Sequence, residues 1–301
     1  MNRSQVYVVL AAVGLSFILV FATVLKRTGM SSFEQLFFRL VFSLFILLST
    51  AVFGRRLRFA AKNNVLFFAA IGSTYAFFAL SGLSAIAFGT PIAVSVALIY
   101  TQPIFTTVIS FVTRQEKPAV VNVLVALLGI LGAFLVSGLA AANPQIDPGI
   151  AFSVLAGFLY AIYLWLKRRA PKKEYTPLHV LFNTHLFATP ILLAAWLLSG
   201  SLSADPLLVG TITPDATQLL LLLFSFALFS TVLPYGLLNY VKEEEISPTT
   251  EGMLLLGDPL LHALWAMLFF QQYISAVQYV GAVLILASAA MNLRLAARRP
   301  S

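Results

Sequence analysis

Apolar residues gather along this chain in runs of about twenty, the length that carries a helix across a hydrocarbon core of ~30 Å, and short polar turns separate the runs. They fall at 6–25, 33–53, 65–87, 91–113, 118–139, 149–166, 177–198, 217–240, 248–270 and 276–293. The pattern predicts an all-α, polytopic membrane protein with ten transmembrane helices. Five runs precede the polar stretch AANPQIDPG, Ala141–Gly149, and five follow it. The chain is therefore expected to divide into a first repeat, residues 1–140, an outer linker loop, 141–148, and a second repeat, 149–301. Five is odd, so tandem copies cross the bilayer in opposite senses. The expected architecture is an inverted repeat.

The repeat also shows in the residues. Ser95 to Ala133 aligns without a gap on Glu251 to Ala289 at an offset of 156, with seven of 39 positions identical. Placement is more informative than identity. In each copy a proline follows a polar residue and interrupts the run, as Gln102-Pro103 and as Asp258-Pro259. Proline removes an amide donor and clashes with the carbonyl four residues earlier, so both helices are predicted to break. Internal repeats with broken helices mark secondary transporters, whose substrates lie near the midplane between the repeats.

Composition agrees with a membrane protein and adds orientation. Hydrophobic residues make up 60% and charged residues 10% of the chain, against ~25% charged in soluble domains; mean hydropathy is +0.93. Of 19 lysines and arginines, 16 fall at the ends and alternate loops of one side: Arg3; Arg55, Arg56, Arg58 and Lys62; Arg114 and Lys117; Lys167, Arg168, Arg169, Lys172 and Lys173; Lys242; Arg294, Arg298 and Arg299. By the positive-inside rule that side is cytoplasmic, and both termini with it, in a plasma membrane or a bacterial or archaeal inner membrane. The net charge of +8 is explained by this bias and by anionic lipids, and nucleic acid is not an expected partner. The first apolar run ends at Lys26-Arg27 without a small-residue cleavage site and reads as a spanning helix rather than a signal peptide. There is no cysteine, hence no disulfide or thiolate metal site, and no cofactor or metal is expected.

The residues resemble a known family over essentially the whole length. Two five-helix halves, Arg39 in the context GMSSFEQLFFRL, the stretch GTPIAVSVALIYTQP followed by RQEKP, and ISPTTEGMLLLGDP followed by FQQYI are similar to EamA-type members of the drug/metabolite transporter superfamily. The family's usual Gly-Glu after each long run stands here only as Gln115-Glu116 and Gln271-Gln272. The resemblance implies transport, with relatives that export amino acids, drugs and other metabolites or exchange nucleotide sugars and phosphates.

Candidate chemistry begins on the ninth run. Glu251, Asp258, His262 and Trp265 are spaced by 7, 4 and 3, one face of a continuous helix. Intramembrane acids mostly face a bundle interior or a water-filled path. Asp258 and His262 read as a site for a substrate ammonium or a cycling proton, or Asp258 hydrogen-bonds backbone freed by Pro259. Glu251 lies nearer the inner end, where it either joins that site or is solvated with Glu243, Glu244 and Glu245. The repeat places Ser95, Gln102, Thr106 and Ile109 opposite this stripe. Arg39 either holds a substrate carboxylate or phosphate through its planar fork or pairs with Glu34 and locks the bundle.

Tyr75, Phe78, Tyr100, Tyr160, Tyr163, Trp165, Tyr235 and Asn239 are candidates for an amphipathic cavity wall, the alternative being interfacial belts, which suit Trp165, Tyr240 and Tyr279. His179 and His185 read as packing or interfacial residues. Small residues, Gly129, Gly132, Ala133 and Gly138 on the fifth run with Gly281, Ala282 and Ala289 on the tenth, predict close helix packing, as scaffold or as a homodimer contact. A Walker lysine motif is absent, so energy comes from a gradient, protons included, or from a counter-substrate. The favoured reading is a secondary transporter exporting small metabolites such as amino acids. Alternatives are exchange of phosphorylated or carboxylated organic anions, which calls for more than one cavity-facing cation, and a non-transporting receptor or scaffold. No catalytic residue is expected.

Overall fold

The computed structural model describes residues 1–52, 57–88, 92–114, 120–136, 148–171, 173–199, 213–270 and 275–297. Helix occupies each of the ten apolar runs, and no strand occurs among the described residues. The first run holds α1 (Arg3–Ser16) and α2 (Ile18–Arg27), then come α3 (Ser32–Val52), α4 (Val65–Ala87), α5 (Ile92–Ile99), α6 (Gln102–Val112) and α7 (Val120–Val136). The second half holds α8 (Pro148–Arg168), α9 (Pro177–Ser199), α10 (Ala216–Ala227), α11 (Leu233–Asn239), α12 (Pro248–Leu255), α13 (Gly257–Phe270) and α14 (Ala276–Ala297). A π-helical turn, Leu228–Val232, joins α10 to α11.

Seven of the rods are long and apolar enough to cross a membrane, and the pieces Gln102–Val112, Val123–Leu135 and Ala276–Ser288 are shorter. Their outer faces suit lipid: Phe45, Leu48, Leu66, Phe77, Leu124, Leu221 and Val283 are all exposed. Such continuous apolar surface is not left to water. The linker 141–147, the turns at Gln115-Glu116 and Gln271-Gln272, and Gly138 lie outside the described residues.

The two prolines break their helices where the physics places the fault. Pro103 conflicts with the carbonyl of Ile99, the last residue of α5, and Pro259 with that of Leu255, the last residue of α12. Helix α3 starts cleanly because Ser31 and Glu34 form a capping box, Ser31 N–H donating to Glu34 at 2.7 Å and Glu34 N–H to Ser31 Oγ at 3.2 Å. Glu34 is thereby used as a cap and not as the partner of Arg39.

Packing between the halves comes largely in exchanged couples. Helix α4 packs on α8 as α11 packs on α1, α4 on α9 as α10 on α3, and α6 on α8 as α13 on α1. Three further contacts, α3 with α9, α6 with α12 and α7 with α14, map onto themselves under the same exchange. In the last of these the small-residue faces of the fifth and tenth runs are buried against each other. A Cβ on Gly132 would sit 2.7 Å from the Gly281 carbonyl oxygen and 2.8 Å from Ile285 N, and Ser288 Oγ donates to the Val125 carbonyl at 2.7 Å. These faces are scaffold within one chain. Gly132→Val forces two backbones apart, and thermal unfolding in detergent is expected to show a loss of about 1–3 kcal/mol.

Candidate functional site

Three helices carry tyrosines to one buried cluster. Tyr75 of α4, Tyr163 of α8 and Tyr235 of α11 meet edge to face, with centroids 5.6 Å apart for Tyr75–Tyr163, 5.2 Å for Tyr75–Tyr235 and 5.9 Å for Tyr163–Tyr235. Tyr160 stacks on Phe78 at 4.7 Å and lies 6.3 Å from Tyr163. Asn239 meets the Tyr163 hydroxyl and bonds the Tyr235 carbonyl at 2.8 Å. Helical spacing explains the set: Tyr160 and Tyr163 are one turn apart on α8, and Tyr235 and Asn239 one turn apart on α11.

Arg39 of α3 enters this cluster. Its Nη2 donates to the Tyr75 hydroxyl at 3.1 Å, and its guanidinium carbon lies 5.3 Å from the centre of the Phe226 ring. It is 4% exposed, and no carboxylate among the described residues pairs with it. That is chemically unusual. A buried cation normally has a counter-charge, because desolvation costs several kcal/mol per ion.

His185, read from the sequence as packing, belongs to the same cluster. Its ring lies 5.4 Å from Tyr75, and Nδ1 is 2.7 Å from Ser43 Oγ, one turn beyond Arg39 on α3.

A second group forms where the two broken helices meet. Tyr100, at the break after α5, donates its hydroxyl proton to Asp258 in the first turn of α13. His262 Nδ1 lies 3.2 Å from the other carboxylate oxygen of Asp258, one turn on, and both side chains are nearly buried. Asp258 therefore faces side chains and not only the backbone freed by Pro259. Gln102 donates to Thr106 at 2.7 Å along α6, and Gly252 of α12 packs against the Gln102 amide. Ser95 accepts from Ser153 of α8 at 3.0 Å, so it ties α5 to α8.

The single stripe expected on the ninth run is split, because the fault before Pro259 breaks the helical register. Glu251 faces α8, Asp258 faces Tyr100 with His262 beside it, and Trp265 turns to the first run. The Trp265 indole donates to Ser16 Oγ at 2.7 Å and stacks on Phe17 at 4.7 Å.

Glu251 is not a solvated mouth residue. Only 1% exposed, it is held by Lys167 and by Arg168, whose Nε and Nη2 approach Oε2 at 2.9 and 2.6 Å. Lys167 also bonds the Leu238 carbonyl at 2.8 Å, and Arg168 the Ile246 carbonyl at 3.1 Å. Two residues counted from the sequence among the basic residues of the inner side are thus buried. Beside them, between α6, α8 and α12, lies a cavity of about 10 Å³, room for about one water.

Of the acidic triplet in the turn between α11 and α12, Glu243 and Glu244 are exposed while Glu245 accepts the Ser4 N–H at 3.1 Å. The hydrogen bonds from Ser4 hold its carboxyl below its usual range. Among the described residues no three His, Asp or Glu side chains form a metal site.

The sequence model of the EamA-like transporter family matches residues 2–138 and 147–294. An uncharacterized transporter from Archaeoglobus fulgidus is 27% identical over 199 residues, a match that spans 66%, just under two thirds, of each protein. A crystal structure superposes with a TM-score of 0.79 over 99% of both chains at 15% identity, a likeness of fold alone.

Proposed function

Because the chain belongs to the EamA-like transporter family, we propose that it is a secondary transporter that exports small carboxylate-bearing metabolites, amino acids foremost, by alternating access. In this reading residues 1–140 and 149–301 are inverted five-helix repeats spanning the membrane ten times, both termini cytoplasmic, in a plasma membrane or a bacterial or archaeal inner membrane. The support is threefold. The family model matches on either side of the linker, the cross-half packing comes in exchanged couples, and each half holds five apolar runs.

One observation carries the substrate class: Arg39 is buried among tyrosines with no carboxylate partner among the described residues. A substrate carboxylate supplies the missing counter-charge through a bidentate fork, and the tyrosine rings supply apolar contact around it. The other buried cations next to the cluster, Lys167 and Arg168, are already paired with Glu251. One available guanidinium favours a single carboxylate over a phosphorylated dianion, which makes anion exchange the second reading. In the conformation described the cluster is closed, Tyr75, Tyr163 and Tyr235 being at most 2% exposed, as an occluded state of an alternating-access cycle requires. The direct test is counterflow of ¹⁴C-labelled L-amino acids into proteoliposomes, for which exchange is expected. Absence of exchange with amino acids and organic anions alike would favour a receptor or scaffold.

Asp258, with Tyr100 and His262, is the proposed proton site. The group joins an acid to an imidazole within 3.2 Å, is nearly buried, and Asp258 meets no lysine or arginine among the described residues. Transport by Asp258→Asn is expected to lose the dependence on pH that the parent shows. An active variant that keeps the parental pH profile would remove Asp258 from coupling.

A further inference from the structure

Among the described residues, four buried polar atoms around the Arg39 side chain have no hydrogen-bond partner, Arg39 Nε, His185 Nε2, Ser230 Oγ and Thr231 Oγ1, and the Tyr160 hydroxyl, beyond Tyr163 in the cluster, is a fifth. The residues of the first four are at most 4% exposed. Orphaned buried groups are rare in native proteins and costly to leave unmade, so four in one neighbourhood call for a cause.

They border one region of the fold. His185 is fixed by Ser43, one turn from Arg39 on α3, and its ring lies against Tyr75, which takes the Arg39 hydrogen bond. Ser230 and Thr231 sit on the π turn, which packs on α3. They stand between Phe226, whose ring faces the Arg39 guanidinium, and Tyr235, whose ring meets Tyr75.

Pro234 accounts for the turn. Its missing N–H leaves the carbonyl of Ser230 without an α-helical partner, and the chain widens so that Leu233 N–H bonds the Leu228 carbonyl five residues back. Single π turns inside α-helices recur at functional sites.

The chemistry of the four is uniform. A guanidinium and two hydroxyls can donate, and in the tautomer in which His185 Nδ1 accepts from Ser43, Nε2 carries the proton and donates as well. No acid stands among them. A donor set with one permanent positive charge complements a monoanion whose planar oxygens carry several lone pairs.

We propose that Ser230, Thr231 and His185 complete, with Arg39, a carboxylate subsite that sets which substrates the protein carries. The inference rests on the transport reading and on Arg39 as anchor, and it adds the residues that select. A monocarboxylate supplies the kind of acceptor that these donors lack. The corresponding amide brings its own N–H groups against donors and is rejected, and a phosphate dianion exceeds the one fixed charge.

The test is counterflow of ¹⁴C-labelled L-amino acids in proteoliposomes, with unlabelled amino acids, their amides and inorganic phosphate as competitors. In the parent, amino acids are expected to compete and amides and phosphate not. In the double variant Ser230→Ala, Thr231→Val the KM is expected to rise about tenfold or more, the acid-over-amide preference to shrink by a similar factor, and kcat to stay within about twofold. His185→Asn keeps a partner for Ser43 but removes the Nε2 position, and it is expected to lose the same preference.

Because the hydroxyls have no partner in the closed state, the double variant is expected to melt no lower than the parent, whereas a packing role would lower the melting temperature. Amino acid exchange in the parent with unchanged KM and preference in both variants would overturn the subsite and leave the transport reading standing. No exchange by the parent would overturn both.

Discussion

Replacement of Glu251 by glutamine is expected to lower stability by about 3–5 kcal/mol, the usual cost of breaking a buried ion pair from one side. The carboxylate serves two cations at once. Lys167 and Arg168 are 4% and 7% exposed, and without Glu251 both charges remain in a low-dielectric pocket with only the carbonyls of Leu238 and Ile246 to face. Unfolding in detergent, followed by helical circular dichroism, should show the loss directly. Replacing all three residues with apolar ones of similar size is expected to recover much of it, because the desolvation cost vanishes together with the attraction. A triple variant as unstable as Glu251→Gln would mean that the triad contributes through shape rather than charge. The group joins the end of α8 to the start of α12 at the side carrying most of the basic residues.

Arg39→Gln is expected to show the opposite pattern. Arg39 is buried like Lys167, yet it holds no counter-charge among the described residues, so removing its charge relieves a desolvation cost, and glutamine still reaches toward the Tyr75 hydroxyl. The melting temperature is expected to stay level or rise. Transport is expected to collapse, since each charge-assisted hydrogen bond to a substrate carboxylate contributes about 1.5–3 kcal/mol, roughly tenfold to 150-fold in affinity. Comparing melting and counterflow in the two variants separates a structural charge from a functional one. If Arg39 locked the bundle, its variant would lose stability as Glu251→Gln does.

Much of the fold was legible because its causes are local. Run length and spacing marked where helices form, and Pro103 and Pro259 each broke a helix at the residue four positions upstream, as a missing amide and a displaced carbonyl require. Small residues at Gly129, Gly132 and Gly281 marked a close packing face, though only the tertiary arrangement shows the fifth and tenth runs closing on each other.

What the sequence hid depends on register across a break or on partners far along the chain. The spacing of Glu251, Asp258, His262 and Trp265 suggested one stripe. The fault at Leu256 sends them to three different neighbours. Lys167 and Arg168 look like any juxtamembrane basic pair, since nothing local reveals that Glu251, over eighty residues on, lies against them.

The candidate site was half visible. Tyr75, Tyr163, Tyr235 and Arg39 stood out as polar or amphipathic residues inside apolar runs, and they meet. His185 and Ser43 did not stand out, because a lone histidine or serine on an apolar helix is commonly a packing residue. The signal that would have raised Ser230 and Thr231 was Pro234 downstream, a proline whose cost a helix absorbs by widening.

The central claim is that Arg39 receives a substrate carboxylate. It is tested most directly by equilibrium binding of L-amino acids and their amides to the purified protein and to Arg39→Gln. The account predicts that amino acids bind the parent, that their amides do not, and that the variant, folded and at least as heat-stable, binds neither. Equal affinity of parent and variant for the same amino acid would contradict it.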